Sequence, residues 1–448
     1  MADTPMRDTA PGAPPPALRP GLRVLEEALA QLLDSVQEGL GALGAEPVQH
    51  PLGLFEADGR VLAADLVSAL DVPGHDNSAM DGYAVRLADL QALPPDERVL
   101  PLSQRIAAGH FGAALQPGTV ARIFTGAPLP AGADAVVMQE LAELAGEDAQ
   151  GRSLVRFTAL PRPGEWIRRQ GEDVRRGAVV LPAGTRMGPA ELGLAASIGL
   201  ARLPVWRRVR VALFSTGDEL VMPGDVPPEA MRPGAIYNSN RFFLRALLQR
   251  LGCEVSDLGI VPDQREATVG ALRAATESHD LILSSGGVSV GEEDHIKPAV
   301  QQLGALDLWQ IGMKPGKPFA HGWLARSAGQ GRCHFIGLPG NPVSSFVTFL
   351  LLVRPFLRRL QGEQGPAASG LPVSMPMVAH FDLPKADKRR EFLRVCRNAQ
   401  GGLDLFDNQS SGVLTSMVWC DGLVDNPPGQ AIAHGDTVRF LSLEALLG

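Results

Sequence analysis

Residues 209–220, VRVALFSTGDEL, decide the fold: an apolar run ends abruptly in a glycine and acidic residues. Three further apolar runs follow at helix-sized intervals, CEVSDLGIV at 253–261, DLILSS at 280–285 and CHFIGL at 333–338. Apolar runs that alternate with helical stretches are typical of a parallel α/β domain. The sequence therefore predicts such a domain at the centre of the molecule.

The sequence on either side of this domain has different patterns of apolar residues, glycine and proline. Apolar residues recur at helical spacing from Val24 to Leu40, which predicts an amphipathic helix. From Pro51 to about Gly184, short β-like runs are broken by glycine and proline. A small-residue linker near 362–372 precedes short strands that predict a small β-barrel or sandwich. The predicted fold is thus α/β multidomain, with β-rich and helical N-terminal domains and a small C-terminal β-barrel.

A chain of 448 residues is about three times the usual domain length, so we expect several domains and not one core. The predicted boundaries follow the changes in sequence pattern described above. The expected parts are a disordered proline-rich tail (1–21), an elongated helical and β N-terminal domain (22–76 plus 165–206), an inserted β-rich domain (77–164), the α/β domain (207–363) and the C-terminal β-barrel domain (364–448).

Composition excludes several classes of protein. The chain has 41 basic and 49 acidic residues, a net charge of -8, which gives no broad attraction to nucleic acid or anionic lipid. Its apolar runs are far shorter than the roughly 18 residues of a membrane span. The four cysteines lie far apart and lack the paired spacing of a structural zinc site. We therefore expect a soluble cytoplasmic protein that binds neither nucleic acid nor membrane.

The strand-end loops are the first place to search for a site, because ligands of parallel α/β sheets bind at the carboxyl ends of strands. Any one of these loops is as compatible with a tight turn as with a site. Several glycine-bearing loops at one edge, however, can direct backbone amides at one anion. The loops, with lysines of the MKPGKP segment, are Thr216, Gly217, Asp218 and Glu219; Ser285, Gly286, Gly287, Ser289 and Gly291; Lys314 and Lys317; Pro339, Gly340 and Asn341.

Acidic residues in conspicuous contexts form a second signal, although each alone is more often a cap, a turn former or a surface charge. Several acids near an anionic ligand repel it unless a hard cation lies between them, and Mg²⁺ is the natural candidate. The acids are Asp81, Asp173, Glu219, Asp263 and Asp294.

Two further donors stand out in the N-terminal half. Arg168, in RRQGED, is suited to tetrahedral oxyanions, and the alternative is a surface basic pair with Arg169. Thr125, in IFTGAP, could donate a hydroxyl proton or simply occupy a turn. Serine hydrolase, HExxH zinc, Walker and dinucleotide motifs do not occur in the sequence.

A series of longer motifs resembles the molybdopterin molybdenumtransferase (MoeA) family, to which the E domain of gephyrin is also similar. They occur in the family's order from about Gly21 onwards, which makes coincidence improbable. The motifs are VPGHDNSAMDGYAVR, RIFTGAPLPAGADAVVMQE, RRQGEDV, ALFSTGDEL, YNSN, LSSGGVSVGEEDH, MKPGKP, LPGNPVSS and QSSGVLTSMVWCDGL.

The resemblance implies a transferase that inserts molybdate into adenylylated molybdopterin and releases AMP, assisted by Mg²⁺. It also implies a four-domain homodimer, with a molybdopterin-binding α/β domain and an active site in a cleft between that domain and the partner subunit. Contacts with a molybdopterin adenylyltransferase and with apo-molybdoenzymes are further possible partnerships. Molybdate and tungstate are not distinguished, because they are similar tetrahedral oxyanions.

Motif positions that match the family imply individual roles. The residues implied to be catalytic are Asp81, Asp173, Glu219, Thr125 and Arg168. The residues implied to bind Mg²⁺ are Glu219, Asp263 and Asp294. The strand-end loop residues, the two lysines, and Arg394 and Ser411 of the last domain are implied to bind the substrate. Gln310 departs from the pattern, because it stands where some family members carry a lysine.

Two alternatives remain open at this point. A non-catalytic molybdopterin-binding carrier or scaffold would keep the motifs without turnover, as the receptor-binding role of gephyrin illustrates. Another phosphate-transfer enzyme that uses a nucleotide and Mg²⁺ would hydrolyse ordinary ATP without molybdate.

Overall fold

The computed structural model describes residues 22–40, 51–287, 295–327, 331–368 and 370–447. The predicted site residues Ser289, Gly291 and Asp294 and the N-terminal tail lie outside these ranges. Within them, every helix is too short or too polar to cross a membrane.

The elements of the described chain before residue 207 are mostly short strands. They are β1 (Leu22–Arg23), α1 (Leu25–Leu40), β2 (Leu52–Gly53), β3 (Leu66–Val67), β4 (Asn77–Ser78), β5 (Gly82–Val85), α2 (Leu87–Gln91), β6 (Val99–Ile106), β7 (Val120–Ile123), β8 (Ala135–Met138), β9 (Ala142–Glu147), β10 (Ser153–Phe157), β11 (Ile167–Arg168), β12 (Val179–Leu181), α3 (Pro189–Ser197) and β13 (Arg202–Leu203).

Two parts of this region form separate sheets. Strands β5 to β10 make a six-stranded sheet, whose inner face buries residues such as Val85, Val120 and Phe157. Before and after it, the chain pairs with itself three times, as β2 with β13, β3 with β12 and β4 with β11. The segment after the sheet therefore returns along the segment before it. This layout accommodates the predicted insertion at 77–164, whose limits stay a prediction.

The central region contains the predicted α/β domain. Its elements are β14 (Arg210–Thr216), β15 (Leu220–Val221), β16 (Ile236–Tyr237), α4 (Asn240–Arg250), β17 (Glu254–Val261), α5 (Arg265–Ser278), β18 (Leu281–Ser285), α6 (Ile296–Leu303), β19 (Gly304–Ile311), β20 (Met313–Lys314), β21 (Pro318–Ala325), β22 (Arg332–Leu338), α7 (Pro342–Thr348), a π-helical turn (Phe349–Val353) and α8 (Arg354–Leu360).

The sheet of this domain has the order β1-β19-β21-β22-β18-β14-β17. Strands β17, β14, β18 and β22 are parallel, as the sequence predicts, and their carboxyl ends meet at one edge. Strand β21 runs antiparallel to both neighbours. The reason on the β19 side is length: the connection over 312–317 is too short for a parallel crossover.

Helix α1 packs against the α/β domain, although the predicted boundaries assign residues 22–40 to the N-terminal domain. Its apolar face, including Leu25, Leu29 and Leu32, is buried in the same core as α4, α7 and α8. Strand β1 extends the central sheet by pairing with β19. The helical periodicity identifies which face of α1 is buried, but it does not identify what covers that face.

The C-terminal region is β-rich, as predicted. A backbone bridge between Ala379 and Leu403 connects the two ends of its sheet, which gives a small closed barrel around residues such as Leu393 and Phe440. Strand β20 of the preceding region also pairs with this sheet. The elements are β23 (Met375–Val378), β24 (Arg390–Arg397), β25 (Leu403–Leu405), α9 (Thr415–Trp419), β26 (Gly422–Asn426), β27 (Thr437–Ser442) and α10 (Leu443–Leu447).

Candidate functional site

A cavity of about 860 Å³ lies at the carboxyl edge of the central sheet. It is where the strand-end argument places a ligand. Its described lining residues are Thr216, Gly217, Glu219, Leu220, Ile236, Tyr237, Asn238, Ser239, Asn240, Asp263, Ser285, Gly286, Gly287, Pro318, Pro339, Gly340, Asn341, Pro342, Ser344 and Gly412. The structure thus brings together most of the predicted strand-end residues, and Asp218 lies beside them in the same turn.

Asn240 holds the loops of this pocket in place. Its buried side-chain amide donates hydrogen bonds to Ser285 Oγ at 2.8 Å and to the Gly340 carbonyl oxygen at 2.7 Å. One side chain at the start of α4 therefore fixes the ends of β18 and β22. These two hydrogen bonds are present without a ligand.

Glycine is required at two positions of the pocket. Gly286 has a φ of 92°, and a Cβ there would lie 2.8 Å from the Thr216 carbonyl oxygen. Gly217 has a φ of 141°, and a Cβ there would lie 2.6 Å from Glu219 Oε2. Both contacts are shorter than a carbon atom tolerates. The absence of side chains lets the loops approach each other and a ligand closely.

The described walls of the pocket are largely polar and carry no basic side chain. Among its described lining residues the charged side chains are the carboxylates of Glu219 and Asp263, and the other polar groups are amides and hydroxyls. Asn238 is 2 % exposed, and its side-chain Nδ2 has no hydrogen-bond acceptor among the described residues. A buried amide donor without a partner is costly, so it indicates that a ligand oxygen or water completes this site.

Neither predicted lysine is among the described lining residues of the pocket, although Lys317 directly precedes the lining residue Pro318. Lys314 Nζ donates to the buried Glu391 Oε1 at 2.9 Å and lies 3.6 Å from Asp387 Oδ2, so it connects the central region to the barrel. The Arg389 side chain and Lys314 lower the pKa of Asp387 to about 2. Lys317 is exposed. Their predicted substrate contacts stay predictions.

Arg394 and Ser411 lie where the barrel meets the pocket. Arg394 is 1 % exposed, and its guanidinium donates to the carbonyl oxygens of Phe392 and Ser410. Burial lowers its pKa to about 10. The Ser411 carbonyl oxygen accepts from the Val343 amide at 3.0 Å, and neighbouring Gly412 lines the pocket. Arg394 thus supports the loop that closes one side of the cavity.

The predicted catalytic residues of the N-terminal half form a separate group. Asp81 Oδ1 accepts from both the backbone amide and the hydroxyl of Thr125, each at 2.8 Å. Both hydrogen bonds lower the pKa of Asp81, and the one from the backbone amide has the larger effect. Arg168 is exposed on β11, and Asp173 lines a second cavity of about 400 Å³. Within the described chain, none of these four residues lines the strand-end pocket.

Sequence reasoning missed the pocket roles of Asn238, Ser239 and Asn240. They belong to the YNSN segment, which follows β16 and opens α4. The signal was available, because polar residues between a strand and a helix start can present amides to an anion. Ser344 was missed because it is the third residue of α7, where a small hydroxyl is compatible with plain packing.

The fold and the pocket define a class: a multidomain α/β protein with a large pocket, lined by glycine-bearing loops, at the carboxyl ends of parallel strands. Three family profiles match this chain in the same order as its structural regions. They are described as "MoeA N-terminal region (domain I and II)" at residues 23–199, "Probable molybdopterin binding domain" at residues 212–359 and "MoeA C-terminal region (domain IV)" at residues 376–443.

Individual relatives agree with these profiles. A molybdopterin molybdenumtransferase from Haemophilus influenzae is 40% identical over 404 residues, which is 89% of this chain and 94% of that protein. A molybdopterin molybdenumtransferase from a Nostoc species is 37% identical over 398 residues, 87% of this chain and 88% of that protein. The crystal structure of a molybdopterin biosynthesis MoeA protein from Pyrococcus horikoshii superposes with a TM-score of 0.73 at 26% identity, covering 94% of this chain and 99% of that one. The chain belongs to the molybdopterin molybdenumtransferase (MoeA) family.

Proposed function

We propose that the protein inserts molybdate into adenylylated molybdopterin and releases AMP together with the molybdenum cofactor. The observation that carries the proposal is the strand-end pocket, where glycine loops, amides and carboxylates converge in one large cavity. Its size suits a substrate that carries two ring systems and a pyrophosphate-like linkage. Membership of the family, whose relatives are named for this transfer, supports the same reaction.

Mg²⁺ fits the residues present. Two carboxylates line a pocket that offers no basic side chain among its described residues, so a phosphate-bearing ligand needs a cation between itself and the acids. Within the described chain, no cluster of three or more histidine, cysteine or acidic side chains could hold a metal ion by itself. Mg²⁺ commonly binds one or two carboxylates and takes its remaining ligands from phosphate and water. Glu219 and Asp263 would hold it, together with the predicted ligand Asp294.

The residues of the pocket would bind and orient the phosphate linkage of the substrate. When bound, Mg²⁺ supplies positive charge that polarises the phosphate linkage and stabilises its leaving group. The Gly286 amide already donates to the Leu338 carbonyl oxygen at 3.1 Å, so the Gly287 amide and the start of α4 at Asn240 would orient the phosphate oxygens. Asn238 offers one more donor, through its unpartnered Nδ2. These groups are fixed before substrate binds, so they require little reorganisation during the reaction.

A second copy of the chain would bring the other predicted catalytic residues to this pocket. The N-terminal half carries Asp81, Thr125, Arg168 and Asp173. None of them is among the described lining residues of the pocket in the same chain. Asp81 and Thr125 are nevertheless held in a defined geometry by two hydrogen bonds. A homodimer in which this group faces the partner's pocket would supply donors for molybdate at the chemical end of the substrate.

The test is to incubate the purified protein with adenylylated molybdopterin, molybdate and Mg²⁺, and to follow AMP release and the activation of an apo-molybdoenzyme. We expect both to depend on molybdate. Tight binding of substrate without either product would instead establish a carrier or scaffold. Hydrolysis of ordinary ATP without molybdate would favour a different phosphate-transfer enzyme.

A further inference from the structure

The rim of the strand-end pocket carries an apolar pair that the phosphate-binding role does not use. Leu220 on β15 and Ile236 on β16 both line the cavity, and they are register partners in a two-stranded parallel ribbon. Ile236 is 55 % exposed. Apart from three prolines and Tyr237, the rest of the described lining consists of glycine and polar residues. We call Leu220 and Ile236 the rim pair.

A single exposed apolar residue on a protein surface needs no explanation, because much of every surface is apolar. Ile236 differs because its register partner is also apolar and both side chains line the same cavity. Register partners on neighbouring strands project to the same face, so the two side chains form one continuous apolar surface.

The backbone around the rim pair is held in place. The Ile236 amide donates to the Glu219 carbonyl oxygen at 2.8 Å, and the Asn238 amide donates to the Val221 carbonyl oxygen at 2.9 Å. The Tyr237 hydroxyl donates to the Val226 carbonyl oxygen at 2.6 Å, which fastens the loop between the two strands. The rim pair is therefore a preformed surface. It is tied directly to the backbone of Glu219, which we propose as a Mg²⁺ ligand.

We propose that the rim pair binds a planar heteroaromatic ring of the substrate and determines that a ring must be present. The inference rests on the proposed function, which supplies a substrate with a ring at each end of a phosphate linkage. A planar ring has two extended apolar faces, and burying one of them against Leu220 and Ile236 removes apolar surface of both partners from water. The polar loops would bind the phosphate, while the rim pair would contribute affinity only to ligands that carry a ring.

The experiment measures binding by calorimetry with probes that differ in their rings. AMP carries adenine and a phosphate, ribose 5-phosphate carries the phosphate without a ring, and molybdopterin carries the pterin. We expect the wild-type protein with Mg²⁺ to bind at least one ring-bearing probe more tightly than ribose 5-phosphate. Ile236→Ser should weaken that ring-bearing probe about tenfold and leave ribose 5-phosphate unchanged. Ile236→Val, which keeps the apolar surface, should restore most of the affinity.

Leu144→Ser is the matched control, because Leu144 is 71 % exposed on β9 and lies outside the pocket lining. It should change none of the three affinities. A loss confined to AMP identifies adenine as the ring at the rim, and a loss confined to molybdopterin identifies the pterin. If Ile236→Ser binds all three probes as the wild-type protein does, or weakens all of them equally, the inference is wrong.

The same series separates this inference from the proposed function. Failure of the wild-type protein to release AMP with molybdate, while ring-dependent binding persists, would contradict the transferase proposal and leave the rim pair as a ligand-binding surface. Molybdate-dependent AMP release with no ring dependence of binding would retain the transferase and overturn the role of the rim pair.

Discussion

The strand-end pocket and the N-terminal group of Asp81, Thr125, Arg168 and Asp173 differ in how their polar residues are held. In the pocket, segments far apart in sequence converge, and the buried Asn240 connects two of them. In the N-terminal group, Asp81 and Thr125 bind each other, while Arg168 and Asp173 are exposed. The described lining of the pocket comes from one chain, whereas we propose that the N-terminal group becomes a site only against the pocket of a second copy.

The largest effect is expected from Glu219→Gln, because it removes one of two carboxylates that line the pocket. We expect molybdate-dependent AMP release to fall about 10³-fold, since both charge and a Mg²⁺ ligand are lost. Glu229→Gln, on an exposed turn outside the pocket, is the control and should keep the wild-type rate. A Glu219→Gln rate close to the wild-type rate would remove Glu219 from the site and weaken the contrast between the two regions.

Asp81→Asn tests whether the N-terminal group takes part at all. The substitution keeps the shape and one acceptor oxygen for Thr125 but removes the charge. We expect AMP release to fall about 10²-fold while the affinity for AMP stays unchanged, because Asp81 does not line the pocket in its own chain. The exposed Asp58 gives the matched control, Asp58→Asn. Wild-type cofactor formation by Asp81→Asn would show that its catalytic assignment is wrong.

Lys314→Ala tests a residue that the family resemblance assigns to substrate binding and that the structure places in an ion pair with Glu391. Because Glu391 is 4 % exposed, losing Lys314 leaves a buried carboxylate without its salt-bridge partner, although the Arg394 guanidinium still acts on it. We expect a loss of about 2 kcal/mol in the free energy of unfolding, less than for a fully buried pair because solvent reaches Lys314. The double variant Lys314→Ala, Glu391→Gln should recover most of it in a denaturant titration. Full stability of Lys314→Ala would mean that the ion pair contributes nothing and that Lys314 is available for substrate.

The smallest effect concerns the titration of Asp81. The Thr125 backbone amide, and to a smaller extent the Thr125 hydroxyl, lower the pKa of Asp81. The ionised carboxylate therefore stabilises the fold above the pKa that Asp81 has in the unfolded chain. This stabilisation is lost as the pH falls through the pKa of Asp81 in the folded protein. Thr125→Val removes only the hydroxyl and should raise the pKa of Asp81 part of the way to its ordinary value. An NMR titration of the Asp81 carboxyl measures the change, and an unchanged pKa would contradict the hydrogen-bond geometry.

Much of the pocket could be predicted from the sequence, because parallel strands end at one edge and their loops must be neighbours. Gly217, Gly286 and Asn341 needed only that rule. The partner of Lys314 could not be predicted, because Glu391 lies 77 residues further on, and nothing local in the sequence shows that β20 pairs with β24 of the barrel sheet. The docking of α1 was equally inaccessible, because it depends on which surfaces meet, and a local apolar pattern does not encode that. The direction of β21 relative to β19 follows instead from the short connection over 312–317.

The most direct test of the account mixes two inactive variants, Asp81→Asn and Glu219→Gln, under conditions that allow subunits to exchange. If one copy's N-terminal group completes the other copy's pocket, each mixed dimer contains one site with both native residues. Random exchange should then restore about a quarter of the wild-type rate of molybdate-dependent AMP release. If both residues act within one chain, the mixture stays as inactive as either variant alone, and the proposed shared site is wrong.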